Sequence, residues 1–151
     1  YYATIFTMKI VETHSLEETK KLAQDWLASL TSKENEATVV GLYGNLGSGK
    51  TTFTQFVAKE LGIKDAVTSP TFVIEKIYDT NHKIFNRFIH IDAYRLEEGR
   101  ELQVLNFESE VANKNNLILI EWPENVKEIL PEDHIKVYCE FVDETTRKFS
   151  F

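Results

Sequence analysis

Two periodicities alternate along this chain. From Ser15 onward Leu16, Leu22, Ala23, Trp26, Leu27 and Leu30 recur at helical spacing, which predicts an amphipathic helix over 16–31. Ser15-Leu16-Glu17-Glu18 reads as its capping box. A polar loop follows at 31–36. The apolar run 37–43 is rich in β-branched residues and predicts a buried strand. A second helix is expected over 52–61, closed by Gly62 as its C-terminal glycine. Two strands are expected over 72–78 and 83–92, around the turn 79–82. The mixed stretch 96–113 suits one or two short helices. Leu117-Ile118-Leu119-Ile120 is an uninterrupted apolar run, the mark of a strand buried on both faces. Pro123 suits the first turn of a helix to about Leu130. A terminal hairpin is expected from 134–142 and 147–151. Strand order does not follow from these patterns.

Between the strand 37–43 and the helix 52–61 lies Gly44-Asn45-Leu46-Gly47-Ser48-Gly49-Lys50-Thr51. This is a complete G-x-x-x-x-G-K-[ST] phosphate-binding loop in the strand–loop–helix setting the motif requires. Glycines let the backbone curl so that N–H groups point at phosphate oxygens, and the helix start adds its positive end. Leu46, Gly47, Ser48, Gly49, Lys50, Thr51 and Thr52 are the expected nucleotide contacts. Lys50 is expected to reach the terminal phosphates, and the Thr51 hydroxyl to ligate Mg²⁺. A dinucleotide fingerprint fits less well, because its third glycine would fall at Thr52. The fold class expected is α/β, a P-loop NTPase-type three-layer sandwich with a mixed, largely parallel sheet and antiparallel hairpins.

Bulk properties narrow the picture. The 151 residues suffice for one domain with a proper core and not for two comfortable ones, so 1–151 is read as a single P-loop ATPase domain. Met8 is the only methionine; translation is expected to start there, leaving 1–7 as a non-native or disordered extension, with a short edge strand as the alternative. The net charge of −7 is a poor match for a polyphosphate backbone, whereas a nucleotide needs only local positive charge. The single cysteine, Cys139, is expected to be a small core residue, and the lack of an internal disulfide fits a reducing cytoplasm. No apolar run approaches the ~20 residues of a membrane span.

Hydrolysis or transfer also needs a metal carboxylate and a group to orient the attacking atom. Glu121 stands directly after the buried strand 117–120, at a carboxyl end, where ligands sit in open α/β sheets. It can face a Mg²⁺ beside Thr51, a role usually taken by aspartate; the competing reading is a solvated strand-end glutamate. His90 and Asp92 close another strand and share a face. Asp92 can hold a metal-bound water or act as a base, or be a plain polar strand end. His90 is read as an orienting residue and not as a metal ligand, since no second histidine or cysteine lies at ligand spacing. Thr71, displayed after Pro70, offers a hydroxyl to the γ-phosphate or the metal, or is a simple turn hydroxyl. Trp122 either covers the nucleotide or fills the core. Arg95 can pair with a phosphate or an acidic neighbour.

Four of these segments resemble one family in order and spacing: 44–52, then Ser69-Pro70-Thr71-Phe72, then His90-Ile91-Asp92-Ala93-Tyr94-Arg95, then Ile120-Glu121-Trp122-Pro123-Glu124. The chain resembles the TsaE (YjeE) family of bacterial P-loop ATPases in tRNA threonylcarbamoyladenosine synthesis, from about Val11 onward. Asn45 departs from the family's usual aspartate, in the loop's variable part, and residues after Glu144 match loosely. The resemblance implies binding of ATP and Mg²⁺, slow hydrolysis alone, and docking on a TsaB–TsaD heterodimer whose TsaD carries out the transfer. Contact with tRNA would be only indirect, through that complex, and the ATPase cycle would reset or remodel it. The resemblance further implies Thr51 and Glu121 as Mg²⁺ ligands, residues 46–51 as the phosphate cradle, Asp92 as required for hydrolysis, Thr71 in a switch-like segment, and Ser15 with Leu16 near the adenine. Two other functions share the phosphate loop. A small-molecule kinase usually brings several arginines on a lid, whereas Arg87, Arg95, Arg100 and Arg147 do not cluster in sequence. A nucleotide-regulated interaction module would bind ATP without releasing phosphate.

Overall fold

Alternation of apolar side chains along each central strand builds the molecule in three layers. The computed structural model describes residues 8–151, so the expectation for 1–7 lies outside the described residues. The strands are β1 (Ile10–Thr13), β2 (Thr38–Tyr43), β3 (Glu75–Asp79), β4 (Arg87–Asp92), β5 (Asn116–Glu121), β6 (Ile135–Phe141) and β7 (Arg147–Ser150). They form one mixed sheet in the order β1-β7-β6-β2-β5-β4-β3. The centre β6-β2-β5-β4 is parallel, and β3, β7 and β1 add by antiparallel pairing. This is the α/β class that the alternating strand and helix patterns predict.

Side chains two apart on a strand share a face. Val40 and Leu42 of β2, with Leu117 and Leu119 of β5, pack under helices α1 (Leu16–Ser29) and α2 (Lys50–Glu60). Val39, Ile118 and Ile120 point the other way, onto the short helices α3 (Arg100–Gln103) and α4 (Phe107–Val111) and the 3-10 segment Pro123–Ile129. All six residues of β5 are buried, as its unbroken apolar run predicts. Phe53 of α2 sits at the centre of the first layer, its ring 5.3 Å from Trp26 of α1 and 5.5 Å from Phe149 of β7.

Several elements differ from expectation for local reasons. The strand expected over 72–78 begins only at Glu75. Before it the chain turns: the N–H groups of Val73 and Ile74 both donate to the Pro70 carbonyl, and Ile74 is left-handed at φ 69°. The strand expected over 83–92 begins at Arg87, because the preceding loop wraps the His82 ring, whose Nδ1 accepts from the Ile84 and Phe85 N–H groups. The helix expected after Pro123 is 3-10 and broken at Val126, where φ is −131°. Helix α2 starts two residues earlier than the pattern suggests, directly from Gly49. β1 was not expected; it is held at the sheet edge by β7, in the register Ile10↔Ser150 to Thr13↔Arg147.

Candidate functional site

β2, β4 and β5 end level with one another. Leu42 and Asp92 each pair with Glu121 in register, so the phosphate loop, Asp92 and Glu121 meet at the carboxyl edge of the parallel strands. Gly44 opens the loop at φ 149°, and a Cβ there would stand 2.2 Å from the Cys139 carbonyl oxygen of β6 and 2.6 Å from Ser48 Oγ. Only glycine lets the loop leave the sheet this closely. Gly49 ends it in the left-handed region at φ 104°, which places the unpaired N–H groups of the first turn of α2 at the loop's mouth.

Lys50 is buried, and its Nζ donates to the Gly44 carbonyl and, at 2.9 Å, to the Asn45 carbonyl. The ammonium also lies 4.3 Å from the centre of the Trp122 ring. Burial lowers its pKa, while the charges of Glu121, Glu124 and Asp92 oppose that shift. The lysine is thus bonded to its own loop, with anionic groups opposing the lowering that burial causes.

Thr51 Oγ1 lies 3.0 Å from both Glu121 oxygens, and His90 Nε2 lies 2.8 Å from Glu121 Oε1. Glu121 is therefore buried and held, not a solvated strand end. Asp92 is also buried. Its Oδ2 accepts from Ser69 Oγ and Thr71 Oγ1, both at 2.7 Å, and its Oδ1 accepts from the Tyr94 N–H at 2.9 Å. Thr71 thus does more than close a turn: it ties the segment after Pro70 to Asp92.

These groups open into a cleft of about 930 Å³ lined by the whole loop from Leu46 to Thr52, with Ser69, Thr71, Asp92, Glu121 and Trp122. The phosphate loop, Thr71, Asp92, Glu121, Trp122 and Ser15, all singled out from the sequence, therefore line one cavity. Ser15 caps α1, its Oγ accepting from the Glu18 N–H at 3.2 Å. The reciprocal bond of the expected capping box is displaced by one residue, with the Glu18 carboxylate taking the His14 N–H instead. Trp122 packs on the second core layer, as one of its two readings has it, and also lines the cleft, from a left-handed backbone at φ 58°. Arg95 pairs differently than expected: its guanidinium lies over the Phe72 ring at 4.4 Å, and it does not line the cleft.

The far end of the cleft escaped the sequence reading. His14, Glu144, Thr145 and Arg147 line it. β1–β7 pairing sets the start of α1 beside the β6–β7 turn, where His14 Nδ1 lies 3.3 Å from Thr146 Oγ1. That turn is ordered by Asp143 Oδ1, which accepts from the Thr145 and Thr146 N–H groups. Of the four arginines weighed as kinase candidates, only Arg147 reaches the cleft.

The donor set suits a hard cation shared with phosphate. Thr51 and Glu121 offer oxygen ligands, as Mg²⁺ prefers, and Mg²⁺ is usually held by one or two protein groups plus phosphates and water. No group of three or more His, Cys, Asp or Glu side chains among the described residues is placed to hold a metal ion. Among the described residues no helix is long and apolar enough to cross a membrane.

The chain is similar to several known proteins. Residues 13–149 match the family model for threonylcarbamoyl adenosine biosynthesis protein TsaE. The chain is 41 % identical over 133 residues to the tRNA threonylcarbamoyladenosine biosynthesis protein TsaE of Rickettsia felis, covering 87 % of this chain and 72 % of that one. It is 35 % identical over 135 residues to the Bacillus subtilis protein of the same name, covering 89 % and 79 %. The crystal structure of Bacillus subtilis YdiB superposes with a TM-score of 0.76 at 27 % identity, over 99 % of this chain and 87 % of that one.

Proposed function

This chain belongs to the TsaE family of threonylcarbamoyl adenosine biosynthesis proteins, and we propose that within tRNA threonylcarbamoyladenosine formation it acts as a Mg²⁺-dependent ATPase that docks on a TsaB–TsaD pair and drives its cycle. The observation that carries the reading is the convergence of the phosphate loop, Thr51, Glu121 and Asp92 on one cleft at the carboxyl ends of the parallel strands. In this reading the chain is one ATPase domain that works beside the other proteins of the pathway in the cytoplasm.

Each residue then has a definable task. The loop N–H groups and the start of α2 hold the phosphates. Lys50 donates to terminal phosphate oxygens. Thr51 and Glu121 would hold Mg²⁺, which would supply charge neutralisation for the phosphates. Asp92 accepts a hydrogen bond from the attacking water, and Thr71 reports on the γ-phosphate through its tie to Asp92. Ser15 and the β6–β7 turn shape the base end of the cleft.

Phosphate release from Mg·ATP, measured with and without a purified TsaB–TsaD pair, tests this. We expect slow release alone and strong stimulation by the pair. Release that ignores the pair would remove the docking role, and phosphate transfer to a small-molecule acceptor would turn the reading into a kinase.

A further inference from the structure

β4 sets a fully buried imidazole beside the carboxylate that ends β5. His90 has no exposed surface, and its Nε2 lies 2.8 Å from Glu121 Oε1. A carboxylate at that distance requires Nε2 to carry the proton, so in the neutral ring Nδ1 is the unprotonated nitrogen. Nδ1 is buried and makes no hydrogen bond. The ring thus makes one directed polar contact, and it is to Glu121. Phe88, stacked 6.4 Å away, packs against it from the same strand face.

Glutamate differs from aspartate by one further rotatable bond. A longer side chain gives its carboxylate more positions to lose on binding a ligand. The position after an apolar strand in phosphate-loop proteins is commonly aspartate, whereas this chain has Glu121. Each carboxylate oxygen offers two lone pairs. His90 occupies one on Oε1, and Thr51 Oγ1 sits between the two oxygens at 3.0 Å from each. The Thr51 contact is the one a cation between hydroxyl and carboxylate would displace. The His90 contact comes from the adjacent strand β4 and can persist.

We propose that His90 is a positioning residue for the metal carboxylate. Its Nε2–H holds Glu121 in the single rotamer that faces Thr51, so that the longer glutamate acts with the stiffness of an aspartate. His90 touches neither nucleotide nor metal. This inference rests on the Mg·ATP reading above.

The test is binding of a non-hydrolysable ATP analogue, titrated with Mg²⁺ and again in chelator, for the parent chain, His90→Leu, His90→Gln and Glu121→Ala. Second-sphere partners of metal ligands typically contribute ten- to hundredfold in metal affinity. We therefore expect His90→Leu to raise the half-saturating Mg²⁺ concentration about tenfold or more, with the affinity in chelator unchanged. His90→Gln keeps an N–H donor and should recover most of that loss. Adding His90→Leu to Glu121→Ala should change nothing further. Equal losses with and without Mg²⁺, or no recovery by His90→Gln, would reduce His90 to a packing residue and overturn the proposal. Should His90→Leu not fold, the comparison of His90→Gln with the parent still decides: a tenfold loss overturns the proposal and near-parent behaviour supports it. Mg²⁺-independent binding by the parent chain would instead overturn the metal reading itself, a failure separate from that of the variants.

Discussion

Lys50 illustrates how a buried charge is satisfied. It donates to two loop carbonyls and lies against Trp122, contacts that keep a buried ammonium paired. Lys50→Ala should lower ATP turnover by about 100-fold or more, the scale seen when one charge-stabilising donor is removed, while the folded chain survives in circular dichroism. Near-parent hydrolysis by that variant would refute the phosphate-loop assignment. Asp92 gives a sharper split, since its three hydrogen bonds come from Ser69, Thr71 and Tyr94 and none from the loop. Asp92→Asn should cut phosphate release by at least about 100-fold yet bind ATP within a few-fold of the parent in calorimetry; a matching loss of affinity would make Asp92 a binding residue. Sequence reading placed Lys50, Thr51, Asp92 and Glu121 because each stands at a fixed offset from a strand end or glycine. It could not place Ser69 on Asp92 or His90 on Glu121, since those contacts join elements whose order in the sheet is set by folding.

At the scale of elements, β3 carries a cost that depends on pH. Glu75 opens this edge strand beside Glu110 of α4. Burial, helped by the Glu110 charge, pushes its pKa from 4.5 up to about 7, and its Oε2 is buried without a partner. The folded state therefore holds this proton more tightly than the unfolded chain, so stability from Glu75 is greatest below about pH 4.5 and declines as pH rises towards 7, after which it is flat. Glu75→Gln should raise the melting temperature at pH 8 and lose that advantage near pH 4.5; a gain that does not vary with pH would contradict the assignment. Helix α2 behaves differently, because its core contacts are apolar. Phe53 is fully buried between Trp26 and Phe149, and Phe53→Ala should cost about 3–5 kcal/mol in urea unfolding. α2 and β5 were legible because their patterns are local. The turn 70–74 was not, since its backbone hydrogen bonds to Pro70 compete with strand pairing in a stretch whose composition favours a strand. β1 was missed for a related reason: four residues carry little periodicity, and their pairing partner is β7.

For the molecule as a whole, the cleft is assembled from distant parts of the chain. The phosphate end comes from β2 and α2, the carboxylates from β4 and β5, and the base end from the start of α1 and the β6–β7 turn. A ligand spanning these parts stabilises them together. Mg·ATP at about 100 times its Kd should add about 2.7 kcal/mol, or roughly 5–10 °C in melting temperature for a chain of this size, as measured by scanning calorimetry. An unchanged transition would argue against a nucleotide bridging the cleft.

The β1–β7 pairing also governs when this cleft can exist. Ile10 lies opposite Ser150, so β1 has no strand partner until β7 has been synthesised. Pairings so far apart in sequence are slow to form, and during translation the early strands wait. The phosphate loop and its two flanking elements are complete early, whereas the corner of β1 and α1 meets the β6–β7 turn last. Full affinity for a nucleotide would therefore emerge only once β7 has paired with β1, which would make an occupied cleft a report that the two edges of this corner have come together.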